Sequence, residues 1–195
     1  MRISICSLLF LAVVVSTSAA QTQQPAPQEG HLDLALTYDA DRTNLTTGNS
    51  FWMQGGSAEA VGGFPHGLGV VAELTGLHAG SISSTQVPLS LVAITFGPRY
   101  TWRTPWHPRK RNLSLFGQAL LGEAHGFDGL FPSSSGVNNS ATSLALQAGG
   151  GVNLGLSHRV SLQLLQVNWL RTQLPNSSTG VQNHLGINTG VVFHF

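Results

Sequence analysis

The sequence predicts an all-β fold: a closed, eight-stranded, antiparallel, up-and-down transmembrane β-barrel preceded by a cleaved signal peptide. Segments that alternate apolar and polar residues recur from residue 31 to the C-terminus, separated by Gly, Pro, Asn and Ser. Only 9% of the 195 residues are charged, against about 25% in ordinary soluble proteins. Most of the alternating segments also exceed the length of about 5–6 residues that is usual for a soluble strand.

Residues 1–20 have the features of a secretory signal peptide. Arg2 supplies the positive charge, the stretch 3–15 is apolar, and small residues at 18–20 form a cleavage site, so we expect the mature chain to begin at Gln21. The apolar stretch is shorter than the roughly 20 residues that a membrane-spanning helix needs.

The composition excludes several classes of protein. The only cysteine, Cys6, lies in the signal segment, so a scaffold held by disulfides is excluded. Removal of Arg2 leaves eight basic and eight acidic residues. The one basic cluster, within 103–111, has no nucleic-acid-binding motif around it and belongs to an exported chain, so no nucleic-acid partner is expected.

The mature chain divides into a polar, proline-containing, flexible N-terminal lead over 21–30 and an outer-membrane β-barrel over 31–195. Eight segments are predicted as strands: 31–39, 51–60, 68–78, 89–102, 113–125, 142–154, 160–172 and 183–195. Most reach the length of about 9–11 residues with which a tilted strand crosses a bilayer. The longer, polar connections 40–50, 79–88, 126–141 and 173–182 are expected outside the cell and the short ones in the periplasm, where both termini would lie.

The alternation is regular in four segments and irregular in two. In the fourth segment Ile94 and Phe96 share an apolar face, opposite Thr95 and Arg99. In the seventh segment the two glutamines at 163 and 166 fall on opposite faces, which predicts a β-bulge near 164–165. The fifth segment has a similar conflict between the residues at 118 and 123.

Three charged residues are predicted to face the lumen. Glu59, Glu73 and Arg99 lie on the second, third and fourth strands, on the polar face of each. Charges in the membrane zone need partners or water, and the planar guanidinium of an arginine can serve two carboxylates. We therefore expect a lumen charge network in which Arg99 is shared by both glutamates; three separately hydrated polar residues are the alternative.

Aromatic residues gather near the predicted strand ends. Tyr100, Trp102 and Trp106 are expected on the periplasmic side, and Tyr38 and Trp52 towards the outside. Trp and Tyr favour membrane interfaces, because one end of each side chain is apolar and the other forms hydrogen bonds. These five residues are predicted to form an aromatic girdle, with the core of a soluble sandwich as the alternative.

The pattern resembles the small OmpA-like and OmpX-like bacterial outer-membrane barrels, the outer membrane protein β-barrel domain family. The resemblance rests on FGPRY (96–100), QAGGGVNL (147–154) and the C-terminal LGINTGVVFHF (185–195). It implies a bacterial outer-membrane location, contact with outer-membrane lipids, and insertion by the barrel-assembly machinery through the last strand. Val191, Phe193 and Phe195 match the insertion signal of the family.

The function expected from these features is either structural support of envelope integrity or that of a narrow, gated pore for small solutes, with a lumen largely filled by side chains. A secreted, lipocalin-like barrel that binds an apolar ligand is one alternative, and a lipid A-modifying enzyme is another. We expect no enzyme, because the histidines are scattered without a nucleophile at a suggestive spacing, although triad partners need not be sequence neighbours. No cofactor and no metal site are predicted, and the oligomeric state is left open.

Overall fold

A computed structural model of the chain describes residues 31–44, 50–82, 87–104, 113–133, 136–175 and 180–195. The predicted signal peptide, the lead over 21–30 and Trp106 lie outside the described residues. The strands are β1 (His31–Asn44), β2 (Ser50–Gly63), β3 (Leu68–Ile82), β4 (Val87–Thr104), β5 (Leu113–Ser133), β6 (Gly136–Gly155), β7 (Val160–Thr172) and β8 (Gln182–His194).

The strands form one closed barrel in chain order. Each strand pairs antiparallel with the next, and β8 pairs antiparallel with β1. The predicted fold class is therefore confirmed. His31 begins β1 and His194 ends β8, so both lie at one end of the barrel, which we call the terminal mouth. The opposite end, where β5 and β6 are joined, is called the hairpin end.

A single short 3-10 helix, Pro65–Gly67, makes the turn between β2 and β3 within the described residues. Gly67 has φ of 83°, and a Cβ there would lie 2.3 Å from the carbonyl oxygen of Thr101, so this turn requires glycine. No helix in the described ranges is long and apolar enough to cross a membrane.

All eight predicted segments are strands, but several strands extend further towards the hairpin end than predicted. The segment 126–141, predicted as a loop, is mostly strand, because β5 runs to Ser133 and β6 begins at Gly136. The two strands stay paired in this segment, although their register shifts between Phe127 and Phe131, where Asp128 has φ of 61°. Phe131 is then buried in an apolar cluster, and this burial outweighs the loop-like composition of the segment.

The bulge predicted in β7 is confirmed. The pairing of β7 with β8 shifts between Gln163 and Gln166, and the pairing with β6 shifts beside it. Leu164 and Leu165 both face outward, while both glutamines are buried. In β5 the pairing with β4 is regular, and the conflict there is resolved by Glu123, which lies on the exposed outer face.

The outer face of the barrel is apolar, and the buried charged side chains point into the lumen. On β4, Ile94 and Phe96 are 62% and 60% exposed, whereas Thr95 and Arg99 between and beyond them are 1% and 6% exposed. This arrangement follows from the period of two in the strand, which sends successive side chains to opposite faces of the sheet.

The lumen has two regions along the barrel axis. Towards the hairpin end it is filled by an apolar cluster whose members include Met53, Leu77, Leu91, Phe131 and Leu170. Towards the terminal mouth it is filled mainly by charged and amide side chains. Strands from both halves of the barrel contribute to each region, as is usual in an eight-stranded barrel whose interior is just wide enough for side chains to fill.

Candidate functional site

The candidate site is the polar region of the lumen, and two glutamates lie at its centre. Glu59 on β2 and Glu73 on β3 are direct cross-strand partners. Both point into the lumen, with 2% and 3% exposure. Like charges placed directly opposite one another destabilise a sheet, and buried carboxylates need compensating partners.

Arg99 on β4 provides the positive charge. Its Nη2 lies 2.5 Å from Glu59 Oε2, and its Nε donates to Gln118 Oε1 at 2.8 Å. The guanidinium also lies over the Phe116 ring, 4.2 Å from the centroid. Gly151 leaves room for that ring, because a Cβ there would come within 2.7 Å of it. The arginine is thus held by an ion pair, a hydrogen bond and a cation–π contact.

Glu73 is reached through amide side chains and not by the guanidinium. Gln118 on β5 donates its Nε2 to Glu59 Oε1 at 3.4 Å and to Glu73 Oε2 at 3.3 Å. Gln147 on β6 donates to both Glu73 oxygens, at 3.0 and 2.9 Å, and Thr75 donates at 2.8 Å. The structure therefore places Arg99 directly on Glu59, while Gln118 links the two glutamates.

The bulge in β7 adds two further members. Gln166 donates its Nε2 to Glu59 Oε1 at 3.2 Å and to Asn168 Oδ1 at 3.0 Å, and Gln163 donates to Gln166. Without the bulge these two glutamines would face opposite sides of the sheet. The bulge thus positions two inward amides three residues apart on one strand.

The glutamines are the part of this network that was not predicted as a site. The breaks in alternation in the fifth and seventh segments could have identified Gln118, Gln163 and Gln166. An amide that interrupts an apolar face in a membrane strand needs a polar partner, and the lumen is the place that offers one.

The lumen as a whole is acidic. Asp39 accepts hydrogen bonds from Thr37 at 2.6 Å and from Asn188 at 2.7 Å. Within the described ranges, five carboxylates face the lumen or line its terminal mouth: Asp33, Asp39, Asp41, Glu59 and Glu73. Among the described residues Arg99 is the only buried arginine or lysine. No group of three or more His, Cys, Asp or Glu that could hold a metal ion was found among them.

Four of the five predicted girdle residues can be placed, and all four face outward. Tyr38 and Trp52 are each 53% exposed, and Arg42 lies over the Trp52 ring at 5.8 Å, near the hairpin end. Tyr100 and Trp102 lie near the terminal mouth and contact each other edge to face, with ring centroids 4.5 Å apart. Trp169, which was not predicted, also faces outward.

The predicted insertion signal lies along one face of β8. Val191 and Phe193 pair with Leu36 and Leu34 of β1. Phe195 follows the strand, is 74% exposed, and donates its backbone N–H to the carbonyl oxygen of Leu32 at 2.9 Å. The C-terminal residues therefore take part in the β1–β8 seam that closes the barrel.

No protein-family model matches this sequence, and no curated protein matches it. Solved structures do resemble it. The attachment invasion locus protein Ail of Yersinia pestis, crystallised with the heparin analogue sucrose octasulfate, is 15% identical, with a TM-score of 0.52. Neisserial surface protein A, NspA, is 17% identical, with a TM-score of 0.59. Each match covers 86% of this chain and 100% of the other.

At these identities the likeness concerns the fold, and it agrees with the strand order and closure described above. This chain has the fold of Ail and NspA, a closed, eight-stranded, antiparallel, up-and-down β-barrel.

Proposed function

We propose that the protein is an integral β-barrel of the bacterial outer membrane, with both termini in the periplasm, that serves the envelope structurally. The observation that carries the proposal is the closed lumen. The polar network takes side chains from β2 through β7, and the apolar cluster fills the lumen beyond it. Both regions would have to rearrange before a hydrated solute could pass.

The membrane location is supported by the distribution of polarity. A soluble barrel that carries an apolar ligand has a polar surface, whereas the outer surface of this chain is apolar and its charged and amide side chains face the lumen. Outward aromatic residues lie near both ends of the barrel, as expected for a membrane-spanning one.

Fractionation tests the location. We expect the protein in the outer-membrane fraction, extractable only with detergent, with a gel mobility that changes on heating. Recovery in the soluble periplasm without detergent would contradict the proposal and favour the lipocalin-like alternative.

Planar-bilayer recording tests the closed lumen. Wild-type protein is expected to give no steady conductance. Arg99→Ala removes the partner of Glu59 and is expected to produce intermittent openings, whereas Arg171→Ala, at an exposed outward position, is not. Steady conductance by the wild type would contradict closure and support the narrow-pore alternative.

A narrow pore through this lumen would select cations, because five carboxylates face one arginine there.

Insertion is the remaining part of the proposal. Outer-membrane lipids would contact the apolar outer surface, and the barrel-assembly machinery would bind the last strand through Val191, Phe193 and Phe195. The outward position of Phe193 and Phe195 supports this, because a partner can reach both side chains.

A further inference from the structure

Ser161, His194 and Asp33 form a continuous chain of hydrogen bonds at the terminal mouth. Ser161 Oγ lies 2.6 Å from His194 Nε2, and His194 Nδ1 lies 2.7 Å from Asp33 Oδ1. The three residues come from β7, β8 and β1 and are far apart in the sequence. They belong to neither the polar network nor the apolar cluster of the lumen.

The register of the barrel seam brings the three side chains together. Asp33 and His194 are direct cross-strand partners, and Ser161 is paired with Val192, which makes it the diagonal neighbour of His194. His194 and Asp33 are partly open to solvent, with side-chain exposures of 30% and 17%, while Ser161 is buried.

The atoms are arranged as nucleophilic catalysis requires. A carboxylate can only accept, so the hydrogen bond to Asp33 requires a proton on Nδ1; in the neutral imidazole the lone pair of Nε2 then faces the serine hydroxyl. In this tautomer the imidazole can remove the hydroxyl proton, while the carboxylate orients the ring and stabilises its cationic form. A triad is recognised by this geometry and not by sequence order.

A cavity of about 70 Å³ opens at the terminal mouth beside the triad. It is lined by His194, Asp33, Asn153, Phe116 and Val192, and Ser161, which is 6% exposed, borders it through its strand partner Val192. One water molecule needs about 10–15 Å³ on this scale, so the cavity has room for a short acyl group. Its lining mixes apolar side chains with a few polar ones, as small-ligand sites do.

Asn153 is placed to stabilise an oxyanion. It is paired with Gln163 on β7, which makes it the diagonal neighbour of Ser161 on the other side. Its Oδ1 is buried and has no hydrogen-bond partner among the described residues, so no hydrogen bond holds that end of the amide. The side chain lines the cavity, and rotation of the carboxamide can present its N–H there.

We propose that this site hydrolyses carboxylic esters with a short acyl group, with Ser161 as nucleophile, His194 as general base and acid, and Asp33 as its orienting carboxylate. Ser161 Oγ bonds to the carbonyl carbon and its proton passes to His194 Nε2. The bond to the alcohol oxygen then breaks, and His194 returns the proton to the departing alcohol. Water next attacks the acyl-serine, gives one proton to His194, and releases the carboxylic acid as Ser161 recovers its proton. The activity is separate from the structural role of the lumen and requires only a folded barrel.

The test is labelling of the full, membrane-embedded protein with a fluorescent fluorophosphonate, followed by mass-spectrometric mapping of the modified residue. We expect modification of wild-type protein at Ser161, together with slow hydrolysis of p-nitrophenyl acetate. Ser161→Ala should abolish both, and Asp33→Asn should slow hydrolysis by roughly 10⁴-fold. Asn153→Ala should slow it by about 10²–10³-fold.

Ser114→Ala is the matched control, because Ser114 lines the same cavity but does not contact His194. It should keep both labelling and hydrolysis. Heat-dependent gel mobility shows whether each variant is folded, and the wild-type result stands even if a variant is not. Folded wild-type protein that is not labelled, or that is labelled at Ser114, would overturn the proposal and leave the three residues as a structural link across the seam.

Discussion

Arg99 is the residue on which the charge balance of the lumen depends, because it is the only buried arginine or lysine among the described side chains. A buried ion pair contributes little net stability over an apolar pair, but removal of one partner leaves an uncompensated charge. Glu59 would then keep only amide donors, next to the like-charged Glu73.

We therefore expect Arg99→Met to lower the free energy of unfolding by about 3–5 kcal/mol. The double variant Glu59→Leu/Arg99→Met should recover most of that loss, because it removes both charges and relieves the repulsion between Glu59 and Glu73. Equilibrium urea unfolding in lipid vesicles measures both values.

Arg171→Met is the control for this comparison. Arg171 faces outward, and its replacement should change stability by no more than about 0.5 kcal/mol. A double variant as unstable as Arg99→Met alone would mean that the ion pair does not determine the stability of the network.

At the scale of the element, β7 departs from apolar–polar alternation because it contains a β-bulge. Its bulge turns Leu164 and Leu165 outward and returns Gln166 to the lumen. One extra residue is thus accommodated, and the inward residues on either side of it remain inward.

Deletion of Leu164 should accordingly be tolerated. It removes the extra residue and restores plain alternation, with Gln163 and Gln166 still inward. Deletion of Val167, just beyond the bulge, should prevent folding, because it turns Trp169 and Arg171 into the lumen. The heat-dependent gel shift of the two variants measures this difference, and equal behaviour of both deletions would contradict the account of the bulge.

A second prediction for a single element concerns the C-terminal end of β8. Removal of Phe195 should strongly reduce the amount of assembled barrel in the outer membrane, because a proposed contact with the assembly machinery is lost. It should scarcely alter refolding of the purified protein in detergent. Phe64→Ala, at another exposed phenylalanine, is the control. Equal losses in cells and in detergent would show that Phe195 acts through stability alone.

At the scale of the whole molecule, the strand number, the order and the inside-out polarity were predictable, because each follows from a local period of two. The residues at which the strands end near the hairpin end were not predictable. The extension of β5 to Ser133 depends on Phe131 packing in the apolar cluster with residues of other strands, and a single segment does not reveal such contacts. The glutamine partners of Glu73 were not predicted for the same reason, since they come from β5 and β6.

The central claim is that this barrel stands in lipid with its apolar face outward, and spin labels at four positions test it most directly. With Cys6 replaced by serine no other cysteine remains, so single cysteines at 93, 94, 95 and 96 on β4 can each carry a nitroxide in protein-containing vesicles. We predict that oxygen, which concentrates in lipid, relaxes the labels at 94 and 96 strongly and those at 93 and 95 weakly, while a water-soluble nickel chelate hardly reaches 94 and 96. Relaxation of the labels at 94 and 96 by the nickel chelate would place that face in water and contradict the account.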